Sequence, residues 1–202
     1  MKSPSLTRII PRAHEFVGEV LAPGDLAIDL TAGNGHDTLV LAEAVGPTGQ
    51  VIAFDIQQAA IERTAERLAA AGIASRRLDG LGLAQAQDRV ILLRADHAGL
   101  AACLPRQPRA FIANLGYLPG GDQGLATRPE TTCAALQTAA ESLSAGGRLV
   151  VVVYVGHEGA AAEAEAVDDF FASLPPKCWQ VLDLRVANRP EAPYLLVAQK
   201  GS

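Results

Sequence analysis

Ile28-Asp-Leu-Thr-Ala-Gly-Asn-Gly-His-Asp-Thr38 reads as an apolar strand ending in an acid, then a loop of small residues, then a polar helix start. In this order the three pieces build a ligand site on the first β-α unit of an α/β domain. Gly33 and Gly35 let the backbone approach a ligand where a side chain would clash. Asp37 and Thr38 suit the first turn of the next helix, whose free N–H groups need acceptors. The third glycine of a dinucleotide-binding G-x-G-x-x-G would fall at Thr38, and an acid, Asp29, already ends the strand. That acid repels a pyrophosphate. It suits a cationic ligand end instead, such as the amino and sulfonium groups of S-adenosylmethionine (SAM).

Outward from this stretch, apolar β-type runs alternate with alanine-rich helical stretches, the pattern of a parallel sheet covered on both faces. Strands are predicted over residues 26–30, 51–55, 90–94, 110–115, 148–155, 180–186 and 194–199. Helices are predicted over 37–44, 58–71, 99–104, 129–144 and 160–174. Ile61 and Leu68 give the second helix an apolar face at helical spacing. Pro129-Glu130 suits the start of the fourth, where no N–H is missed and an acid complements the dipole. Only residues 187–193 join the last two strands, too few for a crossover helix, so these strands pair antiparallel. The fold class is α/β: a Rossmann-like, doubly wound, seven-stranded sheet with an antiparallel last strand, the arrangement of class I methyltransferases. The polar stretch 75–88 reads as a surface loop with a short helix.

A chain of 202 residues suits one domain, 1–202, with a sizeable core, and 49% hydrophobic residues fit a globular protein. Residues 1–8 hold no apolar segment of signal-peptide length and no later run spans a bilayer, so no membrane partner is expected. Cys103, Cys133 and Cys178 are scattered and odd in number. They read as reduced thiols of a cytoplasmic protein, with neither a disulfide framework nor a metal site. The net charge of −5 argues against strong non-specific nucleic-acid binding. It leaves room for one RNA held by a local patch, for which Arg8, Arg12, Arg76, Arg106, Arg109 and Arg128 are among the candidates.

In doubly wound sheets, ligands bind beyond the carboxyl ends of the strands near the switch point. Asp29 and the loop Gly33-Asn34-Gly35 close the first strand. Asp55, followed by Gln57, closes the second about 20 residues past Gly35, where an acid accepts hydrogen bonds from ribose hydroxyls. Asp96-His97 follows the third, where an adenine amino group would lie. Asn114 ends the fourth and opens a turn-rich loop to Asp122 that carries donors and acceptors toward the point of methyl transfer. Each has a structural alternative: Asp29 or Asp96 as a cap, Asn114 as a buried turn residue.

Five segments together resemble the motifs of the rRNA methylase family: Asp29–Thr38, Phe54-Asp-Ile-Gln57, Asn114-Leu-Gly-Tyr-Leu-Pro-Gly-Gly-Asp122, Thr127-x-Pro-Glu-Thr-Thr132 and Tyr154-x-Gly-His-x-Gly159. The best-understood members of that family are the MnmM-type tRNA methyltransferases, and the likeness runs from about Pro11 to Lys200. It implies a SAM-dependent enzyme that methylates the amine of 5-aminomethyl-(2-thio)uridine at the tRNA wobble position, with the anticodon loop as its partner. The family's cofactor positions fall on Asn34, Asp37, Asp55, Gln57, Asp96 and His97. At two places the sequence departs from the family: Asp96 stands where a serine is usual, and the stretch 75–88 is longer.

Methyl transfer from a sulfonium needs no metal; it needs a lone pair in line with the S–CH₃ bond and the exclusion of water. An alkylamine with a pKa near that of lysine, about 10, is mostly protonated at neutral pH, so the site must favour the neutral amine or take its proton. Asn114 and Tyr117 are the candidate positioning acceptors, and Asp122, His14 or His157 the candidate proton acceptor. Tyr117 could instead stack on a flipped base, and either histidine could be structural. A small-molecule or rRNA methyltransferase would keep the same cofactor residues and change only the acceptor pocket. Thr38 and Asp29 disfavour an oxidoreductase, and a non-catalytic SAM-binding module would leave the 114–122 loop unexplained. A second copy of the chain, in a homodimer, is the other partner expected.

Overall fold

The computed structural model describes residues 7–85, 87–116, 120, 126–155 and 160–201. Tyr117, Asp122 and His157 lie outside them. The strands are β1 (Leu26–Asp29), β2 (Gln50–Asp55), β3 (Ser75–Asp79), β4 (Val90–Arg94), β5 (Ala110–Leu115), β6 (Arg148–Val153), β7 (Trp179–Leu184) and β8 (Tyr194–Lys200). They form one sheet in the order β3-β4-β2-β1-β5-β6-β8-β7. The six strands from β3 to β6 in that order are parallel. β8 runs antiparallel to both of its neighbours. From β1 the chain steps outward to β2 and β4 on one side and later to β5 and β6 on the other. The switch point therefore lies between β1 and β5, and a ligand crevice belongs at their carboxyl ends.

Helices α1 (Ile9–Gly18), α2 (His36–Val45) and α3 (Gln58–Ala70) cover one face. A 3₁₀ helix (His97–Cys103), α4 (Pro129–Ser142) and α5 (Ala160–Ser173) cover the other. Strand alternation decides which residues meet which helices. Ile28, Ile52, Ile91 and Phe111 pack with Leu136 and Val167 on the α4–α5 face. Ala27, Val51, Val90 and Ile112 pack with Val17, Leu41 and Ile61 on the other. Carried one step further, the same alternation turns Asp29, Asp55 and Asn114 toward α1, α2 and α3.

Three features differ from the sequence reading. The sheet has eight strands rather than seven, because Ser75–Asp79 pairs in parallel with β4 at the sheet edge. An edge strand buries little, and only Leu78 packs against the core, so no apolar run marks it. The helix predicted over 99–104 is a 3₁₀ helix that runs from His97 to Cys103. Ile9–Gly18 is a helix where none was predicted. Ile9, Ile10, Ala13, Phe16 and Val17 repeat at helical spacing, and Pro11 is tolerated because N–H groups of the first turn have no partner within the helix.

Candidate active site

A cavity of about 650 Å³ lies at the carboxyl ends of β1, β2, β4 and β5, within the size range of small-molecule and cofactor sites. Following the strand order, Asp55, Asp96 and His97 border it on the β2–β4 side. The 31–34 loop runs across the middle, and Asp37, Asn114 and Tyr154 stand on the β5–β6 side.

On the first side, Asp55 Oδ1 accepts the Gln57 N–H at 2.8 Å and Oδ2 the Gly33 N–H at 3.0 Å. Each oxygen keeps a second lone pair. Burial raises this carboxyl above its ordinary pKa, against the pull of those two N–H groups. Gln57 borders the cavity beside it and is 8% exposed. Asp96 accepts the Ala98 N–H at 2.9 Å, so the capping alternative holds while the residue still borders the cavity. His97 Nδ1 lies 3.0 Å from the Leu30 carbonyl oxygen. A carbonyl only accepts, so Nδ1 carries the hydrogen and Nε2 of the neutral ring is an acceptor. That acceptor is buried and has no partner among the described residues. The loop between is braced by α3: Asn34 Oδ1 accepts from Arg63 at 3.2 Å and its carbonyl from Arg67 at 2.7 Å.

On the second side, Asp37 joins three elements. His14 Nε2 on α1 lies 2.5 Å from Asp37 Oδ1, and the Asn114 side-chain amide on β5 donates to Oδ2. The Asn114 N–H is held by Thr31 Oγ1 at 2.7 Å. With its amide nitrogen turned to Asp37, Asn114 presents Oδ1 as a buried acceptor with no partner among the described residues. His14 does not border the cavity; it stands behind Asp37. Burial, and next the Asp37 charge, raise the Tyr154 phenol above its ordinary pKa.

Three sequence expectations are corrected here. Asp29 does not border the cavity: it is fully buried beneath the loop, accepting from Thr38 Oγ1 at 2.5 Å and from Thr31 N–H at 3.0 Å. The alternation of β1 turns it toward α2 rather than into the cavity. Gly35 does not border the cavity either. Its φ is +76°, and a Cβ there would stand 2.8 Å from the Thr64 Cα of α3, so close helix packing excludes a side chain. Nor do Asp37 and Thr38 cap α2, whose start at Gly35 carries no side-chain cap; their side chains serve His14, Asn114 and Asp29 instead. Of the basic candidates, Arg12 pairs with Glu15 at 2.6 Å and Arg76 with Asp88 at 2.6 Å, whereas Arg128 is exposed on the cavity border. Sequence reasoning gave no site role to Tyr154, Thr127, Thr131 or Ile56, all on that border. All four carried one signal, since they stand in three of the segments that resemble the family motifs.

Desolvation, and next the Asp37 charge, push the Asp29 carboxyl up to about 7 from 3.8. Between those values the folded chain keeps a proton that the unfolded chain has released. Stability therefore falls as pH rises through that window, by at most about 1.4 kcal/mol per pH unit for one proton, and levels off above it. Asp29→Asn, which cannot ionise, is expected to flatten this decline. Melting temperatures of both proteins from pH 4.5 to 8 check it, and an equally steep decline in the variant would refute the assignment.

Residues 51–200 match the family described as "Putative rRNA methylase", and residues 21–79 a methyltransferase domain. The chain belongs to the rRNA methylase family. It is 37% identical over 191 residues to the chloroplastic tRNA (mnm(5)s(2)U34)-methyltransferase of Arabidopsis thaliana, covering 91% of this chain and 66% of that relative. It thus spans just under two thirds of the relative's length. The crystal structure of a "putative rRNA-methylase" from Clostridium thermocellum superposes with a TM-score of 0.87 at 33% identity, over 98% of this chain and 100% of the other. A "putative methyltransferase" from Streptococcus mutans in complex with SAH does so with a TM-score of 0.82 at 31% identity, over 97% and 99%.

Proposed function

We propose that residues 1–202 act as one SAM-dependent methyltransferase domain that methylates the amine of 5-aminomethyl-(2-thio)uridine 34 in tRNA. The observation that carries this reading is the division of the cavity into a nucleoside end and an acceptor end. At the first, the lone pairs of Asp55 suit ribose hydroxyls, and the unpaired His97 Nε2 suits the amino group of an adenine. Gln57, Asp96 and the Gly33-Asn34 backbone complete that end. At the second, Asn114 Oδ1 suits an N–H of the acceptor amine. The Streptococcus mutans neighbour holds SAH, and the Arabidopsis relative is named for a U34 methylation, which supports both halves of the reading.

Bound SAM supplies an electrophilic methyl group. The chain's own part is to hold the amine with its lone pair in line and to remove its proton. Asn114 Oδ1, fixed by the Asp37 bond, accepts one N–H and so turns the lone pair away from itself. Asp37 borders the cavity and the partly exposed His14 stands behind it, so this pair takes up the amine's proton and passes it outward. Tyr117, Asp122 and His157 stay candidates on the family resemblance alone. Arg128, exposed beside the acceptor end, suits a phosphate flanking a splayed base. Three free thiols fit a reducing cytoplasm.

The test is mass spectrometry of wobble nucleosides from unmethylated tRNA incubated with purified protein and SAM. Conversion of the aminomethyl to the methylaminomethyl nucleoside is the expected result. Equal methylation of the free nucleoside, or of rRNA in place of tRNA, would overturn the acceptor. Calorimetry with SAH and with NAD separates the cofactor question from it, since SAH alone is expected to bind.

A further inference from the structure

Besides Asp29 beneath the loop, the mechanism leaves one buried carboxyl group among the described residues unused. Glu163 on α5 is 3% exposed and has no Lys or Arg partner among the described residues. Its Oε1 accepts from Thr132 Oγ1 and its Oε2 from Thr127 Oγ1, both at 2.7 Å. Thr127 Oγ1 also accepts the Gly116 N–H at 2.9 Å, and the Thr127 N–H donates to the Gly116 carbonyl at 3.0 Å. Gly116 and Thr127 thus hold each other by two hydrogen bonds. A hydroxyl has one hydrogen to give, and that of Thr127 goes to Glu163. A buried carboxylate whose partners among the described residues are two neutral hydroxyls costs more than an apolar residue at the same place, so it calls for a purpose other than stability.

That purpose follows from what the clamp holds. Gly116, Thr127, Arg128 and Thr131 border the cavity, and Gly116 lies two residues past Asn114. We infer that Glu163 is a positioning residue: through Thr127 and Thr132 it sets the wall against which the acceptor base docks, while the cofactor end is held separately by α3. The clamp rests on this geometry, and its catalytic consequence rests on the methyltransferase reading above.

Glu163→Ala is expected to lower kcat on tRNA by about tenfold or more, the order expected when an acceptor is misplaced, with the SAH dissociation constant within about twofold of the parent. Glu163→Gln keeps the length and one acceptor, and is expected to recover most of that loss. Thr127→Val is expected to lose as much as Glu163→Ala, and the double variant no more than the worse single one, because both act through one bond. Amide exchange followed by NMR is expected to quicken at Gly116 and Thr127 in Glu163→Ala. Additive losses in the double variant, or a matching loss of SAH binding, would overturn the inference. If the parent protein fails to methylate tRNA, the proposed function falls while amide exchange still decides the clamp. Unchanged protection at those two amides would overturn it.

Discussion

Asn114→Ala is expected to lower kcat on tRNA by about 100-fold, the order associated with losing the alignment of a reacting group, and to change SAM affinity by no more than about threefold. The side chain borders the cavity at the end proposed for the acceptor, and its amide nitrogen is committed to Asp37. That commitment leaves Oδ1, buried and without a partner among the described residues, as the acceptor that the group offers to an amine. Alanine removes the acceptor and leaves one oxygen of Asp37 without its donor, so the proton outlet through His14 is disturbed with it. Because an alkylamine of pKa about 10 is mostly protonated at neutral pH, the parent rate at saturating tRNA should rise with pH and then level off. Steady-state kinetics across pH, with SAH calorimetry on the same preparations, check both parts. Equal losses in turnover and in SAH binding would move Asn114 to the cofactor end.

Much of this arrangement was readable because it rests on short-range patterns. The run from Ile28 to Thr38 places a strand, a turn and a helix start next to one another, and the polar ends at Asp55, Asp96 and Asn114 recur in the order that a doubly wound sheet requires. Period-two alternation then fixes the face to which each points. What escaped depends on partners far away in the chain. β3 is a strand because β4 offers it an edge, not because Ser75–Asp79 is apolar. Asp29 looks like a ligand contact until α2 is seen to fold over it, and its hydrogen bond to Thr38 spans the loop that a ligand would have to cross. His14 and Asp37 become a pair only when α1 crosses α2. Glu163 had no local signal at all, since it lies in an alanine-rich helix and its partners are far along the chain, Thr127 just before α4 and Thr132 in its first turn. In contrast, α1 has a local signal: its apolar spacing is helical, and Pro11 stands in its first turn, where a proline is tolerated.

Gly35→Ala is expected to destabilise the fold by about 3 kcal/mol or more, among the larger effects of a single substitution. Two costs add. The backbone there has φ +76°, a region that charges a side chain roughly 1–2 kcal/mol. The new Cβ would also stand 2.8 Å from the Thr64 Cα, 3.0 Å from its Oγ1 and 3.1 Å from its Cβ. A rotamer change cannot relieve a contact with backbone, so α3 must move away from the loop. That helix also carries the Thr64 hydroxyl bonded to the Gly33 carbonyl, and Arg63 and Arg67, which hold Asn34. Moving it releases the loop that frames the cofactor end, and SAH affinity should fall with stability. Thr64→Ala in the same chain removes the contact with Oγ1 and leaves those with Cα and Cβ, so the double variant is expected to stay unstable. Urea unfolding and SAH calorimetry on the two variants check this. Recovery to within about 1 kcal/mol of the parent in the double variant would show that the hydroxyl, and not the helix backbone, is what excludes a side chain at Gly35.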